Sequence, residues 1–81
     1  MIRVLLADDD KDLRELIKTQ LEKHGYDVTE VSSGADAIVE AVENEYDILL
    51  LDMLMPGLEG FQTIRVLRRV TPDLEILAMA A

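Results

Sequence analysis

The feature that most constrains the fold of this 81-residue chain is the alternation of short apolar runs with stretches in which apolar residues recur every three or four positions. The short runs predict strands at residues 2–7, 27–33, 47–52 and 74–81. The periodic stretches predict helices at residues 12–25, 34–45 and 61–70. Strands that alternate with helices form a parallel sheet with helices on both faces. Right-handed crossovers favour the strand order 2-1-3-4, in which the first and third strands are neighbours.

Signals for helix ends support these boundaries. Asp12 with Glu15 resembles a capping box, Ser33 is expected to cap the second helix, and Gly25 lies where a helix C-cap is expected. After the third strand, Pro56, Gly57 and Gly60 are expected to shape a turn, and Met53 and Met55 are expected to be packing residues. Pro72 ends the third helix. The residues that we expect to face the core are Leu13, Leu16, Ile17 and Leu21, then Ala37, Ile38, Ala41 and Val42, and finally Phe61, Ile64 and Leu67.

Acidic residues follow two of the predicted strands. The stretch "ADDDKD" places four aspartates in residues 7–12, and Asp52 ends the third strand. Ligands of open parallel sheets bind at the carboxyl ends of the strands where the strand order reverses, so Asp8 and Asp9 should meet Asp52 at one edge. Carboxylates about 4 Å apart repel by about 4 kcal/mol at a protein surface. Three carboxylates and a nearby backbone carbonyl suit Mg²⁺ better than Zn²⁺, and such an ion would relieve the repulsion.

Two other interpretations of the aspartates are open. The simpler one is that Asp10 and Asp12 cap a helix while the others point into water. The second is an EF-hand calcium loop, whose first three ligand positions match Asp8, Asp10 and Asp12. That loop needs glycine where Leu13 stands and glutamate where Thr19 stands, which argues against it.

The segments "VLLADDD" and "DILLLDMLMPGLEGFQTIRVLR" together resemble the receiver domain of two-component response regulators. The resemblance rests on the acid pair, the 44-residue spacing from Asp8 to Asp52 and the D-x-x-M-P-G-x-x-G loop. It implies a flavodoxin-like fold, with Asp52 as phosphoacceptor, Asp8 and Asp9 positioning Mg²⁺ directly or through water, and the backbone carbonyl of Leu54 completing the protein ligands. The implied phosphodonor is a sensor histidine kinase or a histidine phosphotransfer protein. The implied role is that of a phosphoacceptor with at most slow self-catalysed phosphotransfer, rather than an enzyme.

The sequence departs from that family in its last part. Receiver domains typically have five strands and five helices, so residues 1–81 are expected to form a truncated receiver domain that lacks the last strand and helices. No lysine beyond Lys23 can match the family's phosphoryl-contacting lysine, and Ala80 stands where the family has Ser or Thr. We therefore expect an impaired phosphorylation switch.

The same departure predicts self-association. The fourth strand would be an uncovered edge, with Leu74, Ile76 and Leu77 exposed to solvent. We expect a homodimer in which fourth strands pair across a two-fold axis or elements are swapped between chains.

Composition limits the remaining function classes. A net charge of −9, from 17 acidic and 8 basic residues, argues against nucleic-acid binding. The absence of cysteine, of an 18-residue apolar stretch and of a signal peptide fits a cytoplasmic protein that does not enter a membrane. Two alternative functions stay open: an oligomerising half-domain with idle acids, and a haloacid-dehalogenase-type phosphatase that uses Asp8-x-Asp10. The second lacks the threonine after the motif and a downstream lysine.

Overall fold

The fold is known from a computed structural model that describes residues 1–55 and 60–80. The elements are β1 (Arg3–Ala7), α1 (Lys11–Lys23), β2 (Asp27–Val31), α2 (Gly34–Glu43), β3 (Ile48–Asp52), α3 (Gly60–Val70) and β4 (Glu75–Met79). All four strands are parallel and their order is β2-β1-β3-β4, so the predicted element order and strand order are confirmed. The predicted turn residues Pro56 and Gly57 lie outside the described residues.

The register of the sheet aligns the carboxyl ends of the strands. Ala7 at the end of β1 pairs with Val31 of β2 and with Leu51 of β3, while Asp52 pairs with Met79 of β4. The pairing continues past the strand ends, because the Asp8 N–H donates to the Val31 carbonyl at 3.2 Å. The residues that follow β1 and end β3 are therefore fixed side by side.

Two hydrophobic cores lie on opposite faces of the sheet, as the alternation of side chains along each strand requires. On one face, α2 and α3 cover Leu5, Leu49 and their neighbours through Ala37, Ala41 and Leu67. On the other face, α1 covers Val4, Leu6 and Val28 through Ile17 and Leu21. Strand β1 contributes to both cores and is the most deeply buried element of the sheet.

The helix ends agree with the sequence signals except at the start of α1. The N-cap is Asp10, whose Oδ1 accepts the N–H groups of Asp12 at 3.0 Å and Leu13 at 3.2 Å, so the capping box assigned to Asp12 was wrong. Asp12 instead occupies the first turn, where its negative charge complements the helix dipole. Ser33 caps α2 by accepting the Asp36 N–H, and Gly25 follows α1 with a φ of +89°, as predicted.

Three residues expected in the core are exposed instead. Leu16, Val42 and Phe61 have exposed fractions of 57%, 59% and 76%. Each lies one residue, or about 100° around the helix, from the stripe that faces the sheet. The buried stripe of α3 contains Thr63 and Leu67, and the polar Thr63 was not predicted to be buried.

Strand β4 is less exposed than predicted. Leu74 and Ile76 are partly buried and pack against the core beneath α2 and α3, whereas Leu77 is 46% exposed on the opposite face. The prediction was wrong for the first two because these side chains pack against the hydrophobic core that includes Leu49, Leu51 and Leu67. Among the described residues, none of the three helices has the length and apolar character needed to cross a membrane.

Candidate metal centre

Three aspartates converge where β1 and β3 end. Asp8 directly follows β1, Asp9 is the next residue, and Asp52 is the last residue of β3. Each offers a carboxylate oxygen, and these three oxygens lie within 4.8 Å of one another. Three carboxylate oxygens this close together fit the preference of hard divalent cations for oxygen ligands.

Asp8 is the buried member of this group, with an exposed fraction of 2%. Its Oδ1 accepts a hydrogen bond from the Asp10 N–H at 2.9 Å. Burial raises the pKa of the Asp8 carboxyl, the Asp10 N–H partly opposes that rise, and the negative charges of Asp52, Asp9 and Asp10 add to it. The charged form of Asp8 is therefore costly unless a proton or a cation compensates it.

Asp52 is partly buried and is oriented by the turn that follows it. Its Oδ1 accepts the N–H of Leu54 at 2.9 Å, which limits rotation of the carboxylate. The next peptide is also fixed, because the Met53 N–H donates to the Met79 carbonyl at 2.8 Å. These bonds place Leu54 beside Asp52, and the metal-binding role of its carbonyl stays a prediction.

The other two aspartates of the cluster do not join the three. Asp10 is occupied as the N-cap of α1, and Asp12 lies within that helix. An EF-hand would need residues 8–19 to form a loop, but α1 occupies Lys11–Lys23. The capping role of Asp10 also removes the second acid that the Asp8-x-Asp10 phosphatase interpretation requires.

Gly60 lies close to Met53, the residue that follows Asp52. A Cβ atom added to Gly60 would lie 2.6 Å from the Sδ atom and 3.2 Å from the Cα atom of Met53. Met55 is buried and Met53 is partly buried against the same core, which confirms the prediction that both methionines pack. Gly60 was predicted to shape a turn, but it begins α3 and allows this close approach.

Sequence reasoning missed one cation beside the site. Arg14 donates from Nη1 to the Asp8 carbonyl at 2.8 Å and from Nε to Glu30 Oε1 at 2.7 Å. An arginine among other charged residues of an amphipathic helix carries no sequence signal for such a contact. Only its position four residues after the cap Asp10, on the turn of α1 nearest the acids, could have indicated it.

The sequence of this chain is similar to those of known proteins. The family model described as the response regulator receiver domain matches residues 4–81. The response regulator receiver protein CpdR of Brucella abortus is 40% identical over 77 residues, which cover 95% of this chain and 64% of CpdR. The transcriptional regulatory protein ResD of Bacillus subtilis is 35% identical over 94% of this chain and 32% of ResD. This chain thus spans about two thirds of one relative and a third of the other.

Solved structures show the same similarity in three dimensions. The response regulator TrrA of Thermotoga maritima, in complex with Mg²⁺-BeF, matches with a TM-score of 0.95 and 32% identity over 100% of this chain and 70% of that chain. A complex of the histidine kinase ThkA with TrrA contains a match with a TM-score of 0.93 and 32% identity, again over 100% of this chain and 70% of that one.

Proposed function

Because this chain belongs to the response regulator receiver domain family, we propose that it accepts a phosphoryl group on Asp52 from a sensor histidine kinase or a histidine phosphotransfer protein. The observation that carries the proposal is the convergence of the Asp8, Asp9 and Asp52 carboxylates within 4.8 Å. The similarity to TrrA, which has been solved with Mg²⁺-BeF and with the kinase ThkA, supports the same ligand and partner classes.

The residues at this edge fit a bound Mg²⁺. Hard oxygen ligands dominate the site, and burial of Asp8 beside two further acids leaves negative charge that a cation would compensate. Asp8, Asp9, Asp52 and the backbone carbonyl of Leu54 would hold the ion. When bound, Mg²⁺ neutralises charge on the oxygens of the transferring phosphoryl group.

In the proposed transfer, a carboxylate oxygen of Asp52 attacks the phosphorus of a phosphohistidine. A phosphorus–oxygen bond forms, the phosphorus–nitrogen bond breaks, and the histidine nitrogen leaves with the electron pair. The Leu54 N–H, bonded to Asp52 Oδ1 at 2.9 Å, keeps the carboxylate oriented for that attack. The result is an acyl phosphate on Asp52 and a free histidine on the donor.

We expect the transfer to be slow in this 81-residue chain. The register pairs Asp52 with Met79, so the next residue, Ala80, offers a methyl group where the family has a hydroxyl. Loss of one preorganised contact to a reacting group costs about 3 to 4 kcal/mol of barrier, or about 10²- to 10³-fold in rate. We therefore propose a phosphoacceptor and not an enzyme that turns over.

Mass spectrometry after treatment with acetyl phosphate and Mg²⁺ tests the acceptor. We expect an acyl phosphate on Asp52, its loss in Asp52→Ala, and its retention in Asp12→Asn, which removes an acidic charge outside the site. A label on Asp8 would instead support the phosphatase alternative. No label on any aspartate would support a half-domain whose acids are idle.

Thermal unfolding tests the metal site without phosphorylation. A ligand that binds only the folded state at ten times its Kd stabilises by about 1.4 kcal/mol. For a domain of this size, 1 kcal/mol raises Tm by about 4 to 8 °C. We expect Mg²⁺ to raise the Tm of the wild type and of Asp12→Ala, and to have little effect on Asp9→Ala or Asp52→Ala. An equal rise in all four proteins would contradict the site.

We also propose that this 81-residue chain forms a homodimer through β4. Within residues 1–55 and 60–80, β4 pairs with β3 on one side only, and Leu77 is 46% exposed. An unpaired strand edge is a template for pairing with a second chain.

The cytoplasmic location stays a prediction.

A further inference from the structure

The Arg14 side chain is built into the structure beside the acidic site. Only 14% of it is exposed. Its guanidinium makes two hydrogen bonds, one to the backbone of the residue after β1 and one to a side chain of β2. Nη1 donates to the backbone carbonyl of Asp8 at 2.8 Å, and Nε donates to Glu30 Oε1 at 2.7 Å. Burial of a guanidinium is costly unless such partners satisfy it, so the position of this group is well determined.

We propose that Arg14 is a positioning residue for the metal centre, acting through the backbone of Asp8; the inference rests on the proposed Mg²⁺ site. Asp8 is held at three points: its N–H by the Val31 carbonyl at 3.2 Å, its Oδ1 by the Asp10 N–H at 2.9 Å, and its carbonyl by Arg14. The first two fix the strand end and the carboxylate, and the third fixes the peptide that leads to Asp9.

The contact reaches Asp9 because peptide bonds are planar. When the Asp8 carbonyl is fixed, the N–H and Cα of Asp9 lie in the same plane and are fixed with it. Asp9 is exposed, so its carboxylate is not packed into place by surrounding side chains. The Arg14 contact therefore fixes the backbone position from which the Asp9 side chain extends, and so limits where its carboxylate lies relative to those of Asp8 and Asp52.

Glu30 holds Arg14 from the second strand. The hydrogen bond from Arg14 lowers the pKa of the Glu30 carboxyl, and the nearby Lys18 lowers it further. Glu30 therefore stays charged at neutral pH and keeps the guanidinium in place. The Lys18 Nζ lies 3.5 Å from Glu30 Oε2. Lys18 carries the same charge as Arg14, and among the residues that the structure describes it pairs with Glu30 and not with Asp8, so it provides a matched control.

A role of Arg14 as a positive charge and a role as a positioning group predict opposite changes in the Mg²⁺ affinity of Arg14→Gln. Removal of a positive charge near a cation site strengthens cation binding if electrostatics alone matters. Loss of a contact that orients the ligands weakens binding, typically by 10- to 100-fold for groups that support metal ligands. We expect the Mg²⁺ Kd of Arg14→Gln to rise about tenfold and that of Lys18→Gln to stay equal or fall.

The experiment is a calorimetric titration of each folded protein with Mg²⁺ alone, with the folded fraction checked by circular dichroism. Arg14→Lys keeps the charge but cannot reach both acceptors in the geometry of a guanidinium, so its Kd should rise several-fold. This variant decides the matter if Arg14→Gln does not fold. An Mg²⁺ Kd for Arg14→Gln or Arg14→Lys equal to or below that of the wild type overturns the inference. Failure of the wild type itself to bind Mg²⁺ overturns the proposed function, and the inference with it.

Discussion

Replacement of Asp52 by asparagine should stabilise the metal-free protein. The substitution keeps the size of the side chain and an oxygen that can accept the Leu54 N–H, which now lies 2.9 Å from Oδ1. It removes one of three negative charges whose oxygens lie within 4.8 Å of one another. The folded state loses repulsion that the unfolded chain does not have, so the free energy of unfolding should rise.

The size of the effect follows from the separation of the charges. At 4.8 Å, two unit charges repel by about 3.5 kcal/mol at an effective dielectric constant of 20 and by about 0.9 kcal/mol at that of water. Asp8 is buried, Asp52 is partly buried and Asp9 is exposed, so solvent and salt screen much of this repulsion. We expect a net gain of about 1 kcal/mol, which corresponds to about 4 to 8 °C in Tm.

Chemical and thermal unfolding in EDTA, at low and high salt, measure this gain. It should shrink with added salt. It should also shrink as pH falls through the raised pKa of Asp8, because the folded wild type then binds a proton that relieves the same repulsion. Asp12→Asn is the matched control: it removes an acid from the first turn of α1, so stability should fall slightly or stay unchanged. A clear loss of stability in Asp52→Asn would refute the reasoning and indicate that a protein cation already pairs with Asp52.

Two further predictions concern packing and assembly. Gly60→Ala should destabilise the chain by about 1 to 3 kcal/mol in urea unfolding, because the new Cβ meets the Met53 backbone at 3.2 Å. The double variant Gly60→Ala/Met53→Ala removes the methionine side chain but keeps the contact of the new Cβ with the Cα atom of residue 53. An unchanged stability of Gly60→Ala would contradict the close approach. Sedimentation equilibrium should show a dimer that Leu77→Lys dissociates and the control Leu16→Lys, on exposed α1 surface, does not. A wild type that is cooperatively folded and monomeric at high micromolar concentration would exclude the dimer.

The sheet could be predicted because its signals are local and agree with one another. Short apolar runs set the strands, and the handedness of crossovers then brings Asp8 beside Asp52, as the register confirms. Exact helix starts were harder to predict, since neighbouring aspartates compete for one cap and the backbone selects Asp10. The exposure of Phe61 depends on which 100° sector of α3 meets the sheet, and the burial of Thr63 follows from the same rotation. Neither can be read from the apolar period alone.

The position of the acids prevents them from relieving their repulsion by moving apart. An exposed acidic cluster on a loop can spread apart, but Asp8 directly follows a strand whose last four residues are at most 2% exposed. Movement of Asp8 away from Asp52 would break the pairing of β1 with β2 and the Arg14 contact as well. The repulsion is therefore maintained by the same packing that stabilises the fold. A cation bound between the carboxylates would relieve this repulsion, so we expect metal binding at this edge of the sheet.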